Sequence, residues 1–296
     1  MTPTEPAFSQ PQHTSPSCAG LSVSIVVYRP DMRLLDRTVD TLITAAQAAH
    51  QPVGVAIVDN SDTPDAPDAP DLWPLIARLR DAGITTQRIA GQGNVGYGRG
   101  HNLAMDAFDA AAGAGRPRYH LILNPDIELE EASLTRALAF MEVHPSVGLL
   151  APWVGDENGQ RQYLCRRYPA VLDLLLRGFA PKPLRQLFAK RLNRYEMRDV
   201  IDDTDIVWEP PIVSGCFMLF RAEALKALGG FDARYFLYFE DYDLSLRAHK
   251  VAQVAYVPAV RAAHHGGGAA RKGAAHIRMF GVSAWRFFNR FGWKWI

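Results

Sequence analysis

The sequence predicts an α/β fold: a Rossmann-like, mostly parallel sheet with helices on both faces. Two observations predict it. Strand and helix signals alternate from Leu21 to Leu150, the order that arises when parallel strands are joined by helical crossovers. Polar residues also collect where the strands stop, at Asp59, Asn94 and Asp126. In such sheets ligands bind beyond the carboxyl ends of the strands, so these tips are expected to converge on one crevice.

Residues 21–28 (LSVSIVVY) are β-branched and apolar, a buried strand stopped by Arg29-Pro30. Leu34, Leu35, Val39, Leu42 and Ile43 then repeat at helical spacing. A second strand, 53–58, ends at Asp59, and a loop rich in Pro and Asp covers 63–70. Helix is expected over 72–79 and strand over 84–89. After a Gly-rich turn follow helix 102–112, strand 119–123, helix 130–143 and strand 147–150.

The later half is less regular. Leucines and phenylalanines over 174–198 are interleaved with Arg and Lys, a helical face that is basic on one side. A strand is expected over 212–220 with Ser214-Gly215 inside it, then helix 222–228. An acidic helix opens near Glu240, and a strand follows at 254–257. Residues 277–296 alternate Trp and Phe with Arg and Lys, the composition of an amphipathic helix at a membrane surface or of a helix packed back on the core.

Residues 1–20 carry no basic start and no apolar stretch, so they read as a disordered tail rather than a signal peptide. The three cysteines are scattered, which argues against a disulfide framework or a zinc site and fits a reducing, cytoplasmic setting. A formal net charge of +1 gives no ground for a nucleic-acid binder.

The densest chemistry lies in Phe239-Glu240-Asp241-Tyr242-Asp243. Carboxylates at a helix start often cap amides and meet the positive end of the dipole. Packed together they also raise one another's pKa against the helix terminus, a balance that suits a general base. Gly91-Gln92-Gly93-Asn94-Val95-Gly96 matches GxGxxG. Two strands precede it, however, and no acidic strand end follows about twenty residues on, which excludes a dehydrogenase. Asn124-Pro125-Asp126 is either turn chemistry or a hard oxygen ligand for Mg2+ or Mn2+. His264 and His265, before three glycines, are loop residues or contacts to a metal or a phosphate.

The ordered set is more specific than its members. Tyr28, Val58-Asp59-Asn60, the Asn94-to-Asn102 run, Asn124-Pro125-Asp126, Ser214-Gly215-Cys216, Gly229-Gly230-Phe231-Asp232, Glu240-Asp241-x-Asp243 and His264-His265-Gly266-Gly267 follow in one order. This closely resembles a family 2 glycosyltransferase of the GT-A fold, in its bacterial rhamnosyltransferase-like branch. The resemblance covers about residues 22–271. It implies a nucleotide-sugar half at 21–150 and an acceptor and catalytic half at 151–272, with a C-terminal amphipathic helix at 273–296. Tyr28 is then expected to stack near the base and Asp59 to accept from the pyrimidine imide. Asn94, Gly96, Asn102 and Asn124 belong to the nucleotide and donor-sugar pocket. Asp126 is the metal contact and His264, with His265 as its alternative, a metal or diphosphate contact; Asp241 is the catalytic base, and Ser214, Gly215 and Glu240 lie on the acceptor side.

Three departures from that pattern stand out: Asn124 replaces the first Asp of DxD, Arg29 replaces an Asn, and Ala269 replaces a Ser. The implied reaction is inverting transfer of a deoxyhexose, L-rhamnose from dTDP-rhamnose, to a glycan or lipid-linked glycan in bacterial surface-polysaccharide synthesis. The implied partners are a dTDP- or UDP-sugar, that acceptor, and the inner face of the plasma membrane. Rival readings are another donor such as a UDP-hexose, or a catalytically silent nucleotide-sugar-binding protein. A nucleotidyltransferase is disfavoured because Tyr28-Arg29-Pro30 stands where its Gly-rich loop belongs.

Overall fold

The computed structural model describes residues 20–64, 66, 69–111, 115–265 and 273–296. Most of the expected tail, parts of the Pro/Asp-rich loop, and Ala269 with the glycines before it lie outside them. In chain order the elements are β1 (Leu21–Val27), α1 (Met32–Ala49), β2 (Val53–Asp59), α2 (Trp73–Asp81), β3 (Thr85–Ile89), α3 (Tyr97–Ala111), β4 (Tyr119–Leu123) and β5 (Ile127–Leu129). There follow α4 (Ser133–Val143), β6 (Val147–Gly155), α5 (Val171–Phe179), α6 (Lys182–Leu187), α7 (Ala189–Tyr195) and β7 (Val207–Trp208). The chain ends with β8 (Phe217–Arg221), α8 (Ala222–Ala227), α9 (Glu240–Ala248), β9 (Gln253–His264) and α10 (Ala274–Phe291).

One sheet runs in the order β3-β2-β1-β4-β8-β6-β9-β5, with β7 pairing β9. The first four strands are mutually parallel, as the alternation predicts. Beyond them the sheet is mixed: β8 lies antiparallel to both β4 and β6, and β9 returns parallel to β6. Every residue of β1 and β2 is buried, as expected for strands covered on both faces. Leu21, Val23, Ile25 and Val27 join the core beneath α1, α2 and α4, whereas Val26 joins Ala56, Val58, Ala104 and Phe108 beneath α3. The period of two in the strand thus divides one run of apolar residues between two layers.

Four expectations are corrected. Helix α3 starts at Tyr97 rather than 102, because Gly98 and Gly100 let it lie against Phe231 and Val26. The 174–198 helix is three short ones, broken where Pro181 and Pro183 enter α6. Ser214-Gly215-Cys216 sits in a turn before β8, where the Gly215 backbone bonds to the Tyr97 and Asp241 side chains and the Cys216 carbonyl accepts the Asn124 amide. The short strand β5 was not anticipated, and β9 runs through to His264. The two pair with Ile127 opposite His264, which carries Asp126 to the end of β9.

Candidate active site

At the carboxyl end of β2, Asp59 is almost wholly buried and is held by Arg88 of β3 at 2.9 Å. Its other oxygen accepts from the Ser61 amide at 3.0 Å, so the carboxylate is fixed in place. The Gln92 amide donates to the Asp59 carbonyl at 2.8 Å and to Asn60 Oδ1 at 3.2 Å. Asn60 Nδ2 in turn donates to the Gly96 carbonyl at 3.0 Å, and Asn94 Oδ1 accepts the Gly96 amide at 3.1 Å. Gly96 has φ +88°, and a Cβ there would stand 2.4 Å from the Phe236 carbonyl oxygen. Only glycine permits both the backbone angle and that approach. Tyr28 follows β1 and is 44 % exposed, with the Arg29 guanidinium 5.4 Å from its ring centroid.

Tyr97 joins this donor side to the catalytic side. Its amide donates to the Phe236 carbonyl at 3.0 Å. Its hydroxyl lies 2.9 Å from Asn124 Oδ1 and 2.7 Å from the Gly215 carbonyl. Burial first, and then the charges of Glu240, Cys216, Asp241 and Asp126, raise this phenol well above its ordinary value. The hydroxyl stays protonated and the nearby carboxylates converge around it.

Asp126 follows β4, and His264 Nε2 lies 3.4 Å from its Oδ1. That oxygen is buried and lacks a hydrogen-bond partner among the described residues. Burial raises the Asp126 carboxyl, but the nearby His264 imidazole, together with its own backbone amide and Asn124, outweighs that and leaves the pKa below the usual value. His265 instead donates its amide to the Asp126 carbonyl and turns its ring to Glu128, at 3.0 Å. Of the doubled histidines, His264 is the one beside Asp126. No group of three His, Cys, Asp or Glu able to hold a metal exists among the described residues. An orphaned carboxylate oxygen beside an imidazole nevertheless fits Mg2+ or Mn2+, which need only one or two protein ligands beside a bound diphosphate.

Helix α9 opens without a side-chain cap. The residues before it, Tyr238 (φ 69°) and Phe239 (φ 64°), both take left-handed backbone angles, unusual for bulky side chains. Helix α10 holds this elbow. Ser283 Oγ donates to the Leu237 carbonyl at 2.8 Å, Tyr238 Oη lies 2.8 Å from His276 Nδ1, and the Phe239 ring packs 5.1 Å from Phe280 and 5.2 Å from Phe287.

The three carboxylates of α9 have separate fates. Asp243 is fully buried and paired with Arg247 at 2.5 Å and Arg290 at 2.6 Å, a structural ion pair. Asp241 Oδ2 accepts the Gly215 amide at 3.0 Å and Oδ1 accepts the Tyr242 amide at 2.9 Å. Burial raises its pKa, and those two amides pull the other way. Glu240 is almost fully buried with Oε2 unpartnered, and burial together with the Asp241 charge pushes it up to about 8. Asp241 thus meets one first-turn amide of α9, while its other oxygen leaves the helix for Gly215. Asp241 differs from Glu240 in having both carboxylate oxygens bonded to backbone amides.

Asp59, Asn94, Gly96, Asn124, Gly215 and Asp241 therefore belong to one hydrogen-bonded network. Ser214 borders it, its Oγ meeting the Cys216 amide at 3.4 Å. Asn102 does not face this network. Its amide group bridges the Phe231 carbonyl and N–H at 2.8 and 2.9 Å, a brace between α3 and the 229–232 turn. It borders instead a cavity of about 500 Å³ on the far side of α3. Sequence reading did not single out Tyr97, Gln92 or Arg88. Tyr97 lay inside a quoted run, between two glycines, and that position alone marked it.

No protein-family model matches the chain. It is 29 % identical over 254 residues to an N-acetylglucosaminyl-diphospho-decaprenol L-rhamnosyltransferase of Mycobacterium tuberculosis, covering 83 % of this chain and 76 % of that protein. Rhamnosyltransferase WbbL of Escherichia coli K12 is 27 % identical over 177 residues, 58 % of this chain and 62 % of the relative. Among solved structures, Staphylococcus aureus TarS 1-349 superposes with TM-score 0.51 and 15 % identity, covering 83 % of this chain, which spans 60 % of that one. The Pyrobaculum calidifontis mannosyltransferase PcManGT, in complex with GDP-Man and Mn2+, gives TM-score 0.52 and 16 % identity over 94 % of this chain and 68 % of its own. The fold is thus GT-A, and the chain is a glycosyltransferase homologous to bacterial rhamnosyltransferases.

Proposed function

We propose that the chain is an inverting rhamnosyltransferase that moves L-rhamnose from dTDP-rhamnose to a lipid-linked glycan in bacterial surface-polysaccharide synthesis. The observation that carries this reading is a half-buried carboxylate, Asp241, tied through Gly215 and Tyr97 to Asn124, two residues before Asp126. Similarity to a rhamnosyltransferase whose name specifies a diphospho-decaprenol acceptor supplies the substrate class.

In the proposed reaction an acceptor hydroxyl attacks the anomeric carbon as the bond to the diphosphate breaks on the opposite face. The hydroxyl proton passes to a carboxylate oxygen of Asp241. The Gly215 and Tyr242 amides orient that carboxylate, while burial keeps it basic enough to accept the proton. One carboxylate suffices because a nucleoside diphosphate leaves without an acid. Asp126 and His264 would hold Mg2+ or Mn2+, which supplies positive charge to the departing diphosphate. Glu240 holds its proton at neutral pH and so can donate to a sugar hydroxyl. Tyr28 offers its face to the base of the nucleotide.

The test is transfer to a polyprenyl-diphospho-GlcNAc acceptor with dTDP-rhamnose, UDP-GlcNAc and GDP-mannose offered in parallel, products read by mass spectrometry. The expected product is the rhamnosylated lipid, formed from dTDP-rhamnose alone. Transfer from UDP-GlcNAc or GDP-mannose instead replaces the donor, and no transfer from any of them leaves a nucleotide-sugar-binding protein.

A further inference from the structure

We propose that α5, α6 and α10 form one surface that seats the enzyme on an anionic lipid leaflet, beside the helix that carries the base. This deepens the lipid-linked acceptor reading, but the surface rests on its own observations. No helix among the described residues is long and apolar enough to cross a membrane, so contact with a lipid acceptor needs a surface.

Helix α10 turns Phe287 and Phe288 inward, onto Tyr235, Phe239 and Leu174. Those two rings pack back on the core, but Trp285 does not: it is 60 % exposed, with Ile277 and Val282 also open on the outer side. Helix α5 exposes Leu175 and Phe179, one helical turn apart. Helix α6 buries none of its residues, and Leu187 is 77 % exposed. These faces adjoin. Phe179 meets Phe280 edge-on at 6.5 Å, and the Val171 and Leu172 amides donate to the Lys294 and Trp295 carbonyls at 2.7 and 3.2 Å. Large apolar side chains are thus exposed on each of three helices, two of which touch, the kind of display that marks an interaction site.

Charge names the partner. Residues 273–296 contain no acidic residue, and although Arg290 is spent on Asp232 and Asp243, Arg278, Arg286 and Lys294 remain, in a chain whose net charge is only +1. On α6, Lys182 and Arg185 add two cations that no described acid neutralises. Protein-binding faces lose lysine from their centres. Cations interleaved with Trp, Phe and Leu are the composition of a helix lying in a lipid headgroup layer. The orientation is also useful: Phe239, which packs on Phe280 and Phe287 of α10, immediately precedes Glu240 and Asp241.

The test is flotation of the full chain with phosphatidylcholine vesicles, with or without phosphatidylglycerol, in about 0.1 M and about 1 M salt, where screening lengths are roughly 10 and 3 Å. Wild type is expected to partition at least about tenfold better into anionic than neutral vesicles, and to be released by high salt. The double variant Trp285→Ser with Leu187→Ser, altered only at exposed positions, is expected to lose binding at unchanged dTDP affinity. Wild type left unbound by anionic vesicles at low salt, or a double variant that floats like wild type, overturns the proposal. Transfer to a short, water-soluble acceptor, measured in parallel, reports on the transferase reading alone. Flotation without transfer upholds the surface and rejects the activity; transfer without flotation does the reverse.

Discussion

Two regions meet at the candidate site, and they hold their side chains in different ways. At the carboxyl ends of β2 and β4, Asp59 and Asp126 stand where buried parallel strands simply stop. Regular geometry delivers them, and short bonds to Arg88 and Ser61 fix the first. On the other side, Asp241 follows an elbow of two left-handed residues that no local preference favours. Such angles persist only where the surroundings over-determine them. Here the surroundings are α10, through Ser283, His276, Phe280 and Phe287, and the nucleotide loop, through Gly96 and Tyr97 against Phe236. The proposed donor side is thus built by the sheet, and the proposed base is placed by packing from a distant segment.

That contrast can be broken from the catalytic side first. Phe287→Ala empties a fully buried site beneath the elbow and is expected to cost about 3–5 kcal/mol of stability, read from denaturant midpoints. A loss below about 1 kcal/mol would mean that α10 is not packed as described. Gly96→Ala strikes the seam, because its Cβ meets the Phe236 carbonyl and its backbone is left-handed. Both nucleotide affinity and turnover are expected to fall. If calorimetry finds affinity intact, the two sides are not joined there.

Ser283→Ala removes one bond to the elbow, worth about 1 kcal/mol. Turnover should drop several-fold while KM for the donor holds, since the donor side does not depend on that bond. A KM change without a kcat change would contradict the positioning role.

How far the sequence carried the argument follows the same division. The parallel half was legible because apolar runs and polar strand tips are local patterns, visible at Val58-Asp59 and Leu123-Asn124-Pro125-Asp126. The start of α3 was misjudged because glycines signal turns, yet Gly98 and Gly100 serve close helix packing. The brace that Asn102 makes is invisible locally, because its amide is spent on Phe231, 129 positions away. The choice between His264 and His265 needed the β5–β9 register, a long-range fact. The elbow carried no signal at all, since Tyr238 and Phe239 are poor residues for left-handed backbone and only α10 explains them.

A further expected effect concerns pH. Glu240 is raised from 4.5 to about 8 by burial first and the Asp241 charge second, so the folded protein holds a proton that the unfolded chain releases near 4.5. Its contribution to stability is full below that lower value and is lost as pH rises through about 8. Between pH about 6 and about 9, wild type should lose more stability than Glu240→Gln, which cannot ionise. Parallel losses in the two proteins would place Glu240 in a better solvated setting than the structure gives it.

The central claim is that binding the donor and removing the proton belong to different halves of the molecule. It is tested most directly by titrating dTDP with and without Mg2+ into Asp126→Ala and Asp241→Asn, alongside turnover of each. Asp241→Asn is expected to bind as wild type while losing at least about 10²-fold in turnover. Asp126→Ala is expected to bind more weakly and to lose the response to Mg2+. An Asp241→Asn variant that turns over within a few-fold of wild type, or an Asp126→Ala variant whose affinity still rises with Mg2+ as the wild type's does, would contradict the account.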